Sequence, residues 1–166
     1  MMVNKNSHND KKEIITLFES IKSVTVSCYQ GHQIHFHDPE VEDEEGRIIS
    51  ASYIVKIYFS CKYVNLWFSF SNIKEPLLRI FCVFADITDN KYSFPLDDYL
   101  GCREIPVDKN VLLHHKQLHD YESIDVMMME YYTELNKIIE TEEMQRILDS
   151  SDKINIPRDW SRCGYK

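Results

Sequence analysis

The chain has 166 residues, of which 43% are hydrophobic and 28% charged, and its formal net charge at pH 7 is −8. This length suits one globular domain whose core needs neither a disulfide nor a metal to hold it together. The four glycines form no GxGxxG or GxxxxGK[ST] phosphate loop, no apolar run approaches the roughly 18 residues of a membrane span, and the acidic balance argues against direct contact with nucleic acid.

The five cysteines form an odd set without a CxxC pair, and the first ten residues contain no apolar signal region. Cys28 and Cys61 are interpreted as small buried hydrophobes on strands. Both observations predict a reduced, cytoplasmic protein without a membrane anchor.

The first helix is predicted over residues 11–22. Asp10 and Glu13 fit a capping box, and the apolar residues that follow have helical spacing: Ile14, Leu17, Phe18 and Ile21. Residues 1–9 are polar and are expected to be frayed.

Apolar residues of even number follow at 24–28 and 34–36 and predict strand structure. Two alternatives remain open: one long strand with a bulge at Gly31, or two short strands with a tight turn there. Pro39 is expected to end this strand, and the acidic residues 38–46 are predicted to form a loop.

The central block shows the period of two that is typical of half-buried strands. Its apolar residues are first odd-numbered and then even-numbered: Ala51, Tyr53, Val55, Ile57, Phe59 and Cys61, then Val64, Leu66, Phe68 and Phe70. A hairpin with its loop at Lys62–Tyr63 or at Ser60–Tyr63 would place both sets on one face. A third strand over 77–87 is apolar at odd and even positions, which predicts a strand that is central or covered on both faces.

The rest of the chain predicts a short strand at 92–94, a short helix at 95–100, and a largely irregular stretch at 102–119. A helical stripe then follows, with these members: Ile124, Met127, Met128, Tyr131, Leu135 and Ile138. The pattern continues either on the same helix or on a second one after Thr141, and residues 150–166 are an irregular tail. The sequence therefore predicts a single α+β domain over 1–166: an N-terminal helix, an antiparallel meander of four to six strands, and one or two C-terminal helices packed on one face of the sheet.

A histidine-rich stretch, GHQIHFHDPE at 31–40, is the sharpest local motif. His35 and His37 would point the same way from a strand and could share a metal, completed by His32, Asp38 or Glu40. The stretch resembles the first motif of the cupin family, Gly then HxH then Glu, over about ten residues. Gly31 lies closer to the histidines than in that family and no second motif follows, so no cupin function is inferred.

A second histidine pair, His115 and His119, has the spacing of two zinc ligands on a helix. Lys116 occupies the position that the HExxH peptidases give to a glutamate base, which excludes their chemistry. Together with His35 and His37 this pair could form a two-part metal site.

An acidic segment and an aromatic strand face are the candidates for partner binding. The acidic segment holds six acids and no base: Asp38, Glu40, Glu42, Asp43, Glu44 and Glu45. Such a patch can steer a cationic partner toward its surface. Tyr58, Tyr63 and Trp67 lie on the parity opposite to the predicted core, where aromatic side chains can anchor an interface.

The sequence contains no GxSxG motif and no cysteine beside a local base, so an enzyme is not predicted. In size, acidity and reduced cysteines the chain resembles bacterial toxin-immunity proteins. That resemblance implies a non-enzymatic inhibitor, without a cofactor, that neutralises a basic toxin such as a nuclease. The alternatives are a metal-binding domain or metal-dependent enzyme using His35 and His37, and a structural subunit that self-associates through its C-terminal helix.

Overall fold

The structure is a computed structural model that describes residues 5–45, 47–71, 77–101 and 103–153. The elements, in chain order, are α1 (Lys5–Cys28), β1 (Ile34–Phe36), β2 (Glu40–Glu44), β3 (Arg47–Tyr58), β4 (Lys62–Ser71), β5 (Leu77–Asp86), β6 (Ser93–Pro95), α2 (Leu96–Gly101), α3 (Lys109–Leu113), β7 (Lys116–Gln117), α4 (Ile124–Ile139) and α5 (Glu142–Asp149). The predicted α+β architecture, with helices at both ends of the chain packed on an antiparallel sheet, is confirmed.

The sheet is antiparallel with strand order β1-β3-β4-β5-β6, while β2 also pairs with β3 and β7 also pairs with β5. β1 and β2 pair with successive parts of β3: Ile34 opposes Ile57, and Glu40 opposes Ser52. Pro39 lies between these two strands, where the missing N–H of proline suits a break in the ladder. One edge of the sheet is therefore made of two short strands.

The β3–β4 hairpin confirms the predicted change of parity. Ile57 opposes Val64 and Tyr58 opposes Tyr63, so the odd residues of β3 and the even residues of β4 share one face. The turn between the last paired tyrosines is Phe59–Lys62, where the Phe59 N–H donates to the Lys62 carbonyl at 2.8 Å. Neither predicted loop has the correct position. The predicted four-residue loop, Ser60–Tyr63, begins one residue later than the observed turn.

The shared face of the hairpin is the inner side of the sheet, and the helices pack there. Val55 and Ile57 of β3, like Val64 and Leu66 of β4, are fully buried in one core with residues of all five helices. Burying this apolar surface is the main stabilisation of the fold, at roughly 25 cal/mol per Å².

Helices α1 and α4 run side by side in the same direction. Thr25 contacts Tyr132 and Tyr29 contacts Asn136, and each pair is separated by 107 residues. Rising numbers on one helix meet rising numbers on the other, so the two helices are parallel.

The C-terminal helical pattern divides into two helices, as one of the two predicted alternatives had it. Ser123 and Thr141 cap α4 and α5 by accepting hydrogen bonds from backbone N–H groups of the first turns. The predicted stripe on α4 is buried apart from half-buried Ile124, whereas Met129 is 48% exposed. This stripe therefore forms part of the core, and the exposed side of α4 includes Met129.

Two predictions near the N-terminus are wrong. Residues 24–28 continue α1 and form no strand, because Val24 follows Ile21 and Leu17 on the buried side of one helix while Val26 is 48% exposed. Residues 5–9, expected to be frayed, are helical, and 1–4 lie outside the described residues. Gly31, with a φ of 86°, belongs to the turn after α1, where a left-handed conformation favours glycine.

The acidic segment is also different from its prediction, since residues 40–44 form strand β2 and no loop. The pairing shifts between Glu42 and Asp43, and Glu45 has a φ of 53°, so the strand is irregular and ends in a left-handed residue. The pairing with β3 outweighs the low strand propensity of the acids.

Strand β5 is central, as predicted, but it is not covered on both faces, because Phe81 is 47% exposed. Among the described helices, none has the length and apolar character that crossing a bilayer demands. The predicted tail is described only to residue 153, and Cys102 and Cys163 lie outside the described residues.

Candidate functional site

The outer face of the sheet, opposite the helices, carries a row of large side chains across four strands. The His37 N–H donates to the Ile54 carbonyl at 2.9 Å, Ile54 opposes Trp67, and Trp67 opposes Phe81. Directly opposed residues of paired strands point to the same face. Trp67 and Phe81 are each 47% exposed and form the centre of this row.

Polar rows flank the aromatic centre. On one side the opposed residues are Glu40, Ser52, Ser69 and Arg79, followed by Glu42, Ser50 and Ser71. On the other side they are His35, Lys56, Asn65 and Val83. The outer face thus has an aromatic centre between rows that are polar except for Val83 and for Leu77, which opposes Ser71. An aromatic centre with a mainly polar rim is typical of protein–protein interfaces.

The six acids of the sequence motif form one border of this face, and we call them the acidic edge: Asp38, Glu40, Glu42, Asp43, Glu44 and Glu45. All six are exposed, and none forms an ion pair with a described side chain. Glu42 faces outward, since its Oε2 accepts a hydrogen bond from the Ser50 hydroxyl at 3.2 Å. Among the side chains that the structure describes, the acidic edge therefore presents negative charge without an ion-pair partner beside the aromatic row.

Tyr58 and Tyr63 lie at one end of the outer face and oppose each other across the hairpin. Their ring centroids are 5.5 Å apart, and Lys56 Nζ lies 5.4 Å from the centroid of Tyr63. Both tyrosines are half-buried, and burial raises the pKa of Tyr63. They share the face of Trp67, but they expose less of their surface than Trp67 does.

Phe81 was missed as a candidate. The apolar residues of β5 occupy odd and even positions alike, so the sequence pattern does not show which side of the strand faces solvent. The signal that finds it is the register, because Phe81 opposes Trp67.

His35 and His37 lie side by side on the outer face, with ring centroids 4.5 Å apart and planes at 84°. His37 Nε2 is buried without a hydrogen-bond partner. Burial lowers the pKa of His37, and the nearby Lys56 and His35 lower it further. The Asp38 carboxylate has the opposite effect and raises this pKa. Among the described residues no group of three or more metal-binding side chains is present.

Of the histidines whose side chains the structure describes, His32 and His115 lie apart from this pair. The His32 Nδ1 lies 3.2 Å from the Tyr58 carbonyl at the end of the sheet. His115 lies between α3 and β7, and His119 lies in a short 3₁₀ helix over Leu118–Asp120, so the two do not lie on one helix. The side chain of His119 is outside what the structure describes.

None of the described cysteines is an activated nucleophile. Cys28 lies at the end of α1, with its thiol 3.6 Å from the Met129 sulfur, and burial raises its pKa. Burial also raises the pKa of Cys82 to about 12. Cys61 is half-buried in the hairpin turn and donates to the Asp149 carbonyl at 3.3 Å. A raised pKa keeps a thiol protonated and unreactive near neutral pH.

Comparison of the chain with protein-family models, with curated proteins and with solved structures gives no match. The function is therefore argued from the geometry of the outer face and the acidic edge.

Proposed function

We propose that the protein is a non-enzymatic binding protein and that it binds a basic protein partner through the outer face of its sheet. The observation that carries the proposal is the position of Trp67 and Phe81, two exposed aromatic side chains that oppose each other on neighbouring strands. Both side chains lie on the outer face of the sheet, which the acidic edge borders.

The aromatic pair supplies the apolar part of such a contact. A tryptophan or phenylalanine side chain buries a large area with few rotatable bonds, and such residues dominate binding energies at interfaces. Because Trp67 and Phe81 each expose 47% of their surface, a partner that covers them removes apolar surface from water.

The acidic edge supplies the charge. Six carboxylates with no described ion-pair partner repel one another, which opposes the pairing of β2. A cationic surface relieves this repulsion, and it is also drawn to the site by the long-range field. The complementary partner is therefore a protein with a basic patch.

A finer form of the proposal is an immunity-type inhibitor that works in the cytoplasm. A nuclease must carry a basic cleft to hold the phosphate backbone. Outward carboxylates such as Glu40 and Glu42 can occupy that cleft in place of phosphates, while Trp67 and Phe81 anchor the complex. The general resemblance to toxin-immunity proteins in size and acidity supports this form.

The experiment uses the full chain as bait for cell-extract proteins, with Trp67→Ala/Phe81→Ala as the test bait and Ile15→Ala as the control bait. Ile15 is 50% exposed on α1, away from the outer face. A basic protein should bind the wild type and the control, elute with added salt, and bind the test bait at least about tenfold more weakly. Nuclease activity of the captured protein should fall when the wild-type chain is added.

The proposal fails if every captured protein binds the double variant as tightly as the wild type. It also fails if neutralising the acidic edge leaves the salt dependence of the affinity unchanged. If a basic protein is bound but its nuclease activity is unaffected, or it has none, the inhibitor form is wrong and the binding form stands.

The adjacent rings of His35 and His37 favour one alternative, a metal-binding domain or metal-dependent enzyme. Two imidazoles are an incomplete ligand set, so the remaining ligands would be water or donors outside the described residues. Elemental analysis after loading with zinc or manganese tests this alternative against the His35→Ala/His37→Ala variant. Equal metal content in the wild type and the variant would exclude a metal site formed by His35 and His37.

A further inference from the structure

A cavity of about 500 Å³ opens at the end of the sheet beside the β3–β4 turn. We call it the helix-end cavity, because the C-terminal ends of three helices border it: Cys28 of α1, Ile139 of α4 and Asp149 of α5. A helix C-terminus carries a partial negative charge of roughly half an electron on its free carbonyl groups. Three such ends at one cavity create a field that favours a cation.

The partial charges are only partly compensated by the protein itself. α1 has no basic residue in its last turn. Lys137, in the last turn of α4, is paired with Glu134 at 2.8 Å. Lys62 lies at the end of α5, with its ammonium 2.5 Å from the Ser150 carbonyl, so that end is the best compensated of the three.

The lining of the helix-end cavity includes several hydrogen-bond acceptors. The lining includes the exposed carboxylates of Glu140 and Asp149 and contains neither lysine nor arginine. Neither carboxylate forms an ion pair with a described side chain. The Gln145 amide donates through Nε2 to the Ile139 carbonyl at 2.7 Å, which leaves its oxygen free as an acceptor.

His32 adds another acceptor. Its Nδ1 lies 3.2 Å from the Tyr58 carbonyl oxygen, and a carbonyl only accepts, so Nδ1 carries the hydrogen. In the neutral imidazole the other nitrogen, Nε2, is then an acceptor. The Tyr29 hydroxyl donates to Asn136 Oδ1 at 2.7 Å, so its own proton is already used.

Aromatic rings form part of the wall. The ring of His32 lies 4.8 Å from that of Phe59 and 6.2 Å from that of Tyr29, measured between centroids. The face of an aromatic ring attracts a cation through its quadrupole. Acceptors, aromatic faces and helix C-termini together are complementary to an organic cation with several N–H donors.

We propose that the helix-end cavity binds a guanidinium or alkylammonium group between the carboxylates of Glu140 and Asp149 and the rings of His32 and Phe59. Such a group occurs in free polyamines and guanidino compounds, and also as the arginine side chain of a protein. The site does not depend on the function proposed for the outer face, since neither Trp67 nor Phe81 lines the cavity.

The experiment titrates the full chain with agmatine and, separately, with the peptide acetyl-Gly-Arg-Gly-amide, using calorimetry and the NMR signals of the His32 and Tyr29 rings. The same peptide with citrulline, which keeps the shape and lacks the charge, is the ligand control. Glu140→Gln/Asp149→Asn is the test variant. Glu104→Gln/Glu122→Gln, with the same change of charge at exposed positions that neither line the cavity nor belong to the acidic edge, is the protein control.

We expect a cationic probe to bind the wild type and the control protein with shifts at His32 and Tyr29. The affinity should fall at least about tenfold in the test variant and with citrulline, because a hydrogen bond between charged groups is lost. Agmatine binding more tightly than the peptide identifies a free cation as the ligand, and the reverse identifies an arginine side chain.

The proposal is overturned if neither cationic probe binds, if citrulline binds equally well, or if the test variant keeps its affinity. Trp67→Ala/Phe81→Ala separates this site from the outer face. That variant should bind the cationic probe normally even if it loses its protein partner.

Discussion

Lys62 and Asp86 form a buried ion pair in which Nζ lies 3.4 Å from Oδ2 and the two side chains are 2% and 3% exposed. Lys62 also donates to the Ser150 carbonyl, and the neighbouring Cys61 N–H donates to the Leu148 carbonyl at 2.9 Å. One residue therefore ties the hairpin turn, the end of β5 and the end of α5 together.

Replacing Lys62 with methionine should destabilise the protein by about 3–5 kcal/mol, because Asp86 is left as an uncompensated buried charge. The free energy of unfolding in urea measures this effect. Lys91→Met is the control, since Lys91 is exposed and its loss should change stability by less than about 0.5 kcal/mol. A loss below about 1 kcal/mol for Lys62→Met would show that the ion pair is not buried in solution.

The stability that Asp86 contributes should depend on pH. The pKa of Asp86 lies below its ordinary value of 3.8, chiefly because its carboxylate accepts a hydrogen bond from the Thr88 hydroxyl. Burial raises this pKa, while the Thr88 N–H and Lys62 lower it further. A carboxyl whose pKa is lowered by folding stabilises the protein above the unfolded value, and this contribution is lost as the pH falls through the folded value. The difference in unfolding free energy between the wild type and Asp86→Asn should therefore shrink as the pH falls below 3.8. Urea unfolding between neutral and acidic pH measures it, and a constant difference would contradict the assignment.

The contact between Thr25 and Tyr132 predicts an asymmetric response to mutation. The Thr25 hydroxyl donates its single proton to the Ile21 carbonyl at 2.6 Å, so the Tyr132 hydroxyl, 2.5 Å away, must donate to Thr25. Thr25→Val leaves the buried Tyr132 donor unsatisfied and should cost about 1–3 kcal/mol. Tyr132→Phe leaves no donor unsatisfied and should cost less than Thr25→Val does. Thermal and urea unfolding of the two variants compare them, and equal losses would mean that the donor was assigned wrongly.

Neutralising the acidic edge should affect association more than stability. Charges on an edge strand prevent it from pairing with the edge of another sheet. Glu40→Gln/Glu42→Gln/Glu44→Gln should fold with stability unchanged or slightly raised, and it should self-associate more readily as its concentration rises. Sedimentation velocity measures this, with Glu104→Gln/Glu122→Gln/Glu130→Gln as a control of equal charge at exposed positions outside β2. Monomeric behaviour of both triple variants would show that the charges do not protect the edge.

The sheet was the part of the fold most open to prediction from sequence. Ala51 and Tyr53 alternate with polar residues, and the reversal of parity at Val64 follows from an even-numbered turn, because a register error would turn every apolar side chain outward. The position of the turn was missed by one residue, since nothing between Phe59 and Tyr63 has a strong turn preference.

The elements at the edges were predicted less well because their conformation depends on neighbours. Val24 and Cys28 have a spacing that fits a helix as well as a strand, and the helix is decided by packing against α4. Strand β2 has the composition of a loop and becomes a strand by pairing with β3.

The candidate site was predicted in part. Trp67 was identified by parity, but its neighbour Phe81 was not, because strand β5 is apolar at consecutive positions. The helix-end cavity was not predictable at all, since Tyr29, Phe59 and Glu140 are distant in sequence and only the tertiary structure brings them together.

The parallel packing of α1 and α4 bears on how the protein is made. Contacts across 107 residues cannot form until α4 has left the ribosome, so α1 emerges about a hundred residues of synthesis before its partner exists. During that wait the apolar side of α1 has no permanent cover. We therefore expect nascent chains to need chaperone protection, and the loop closure between the two helices to make folding slow.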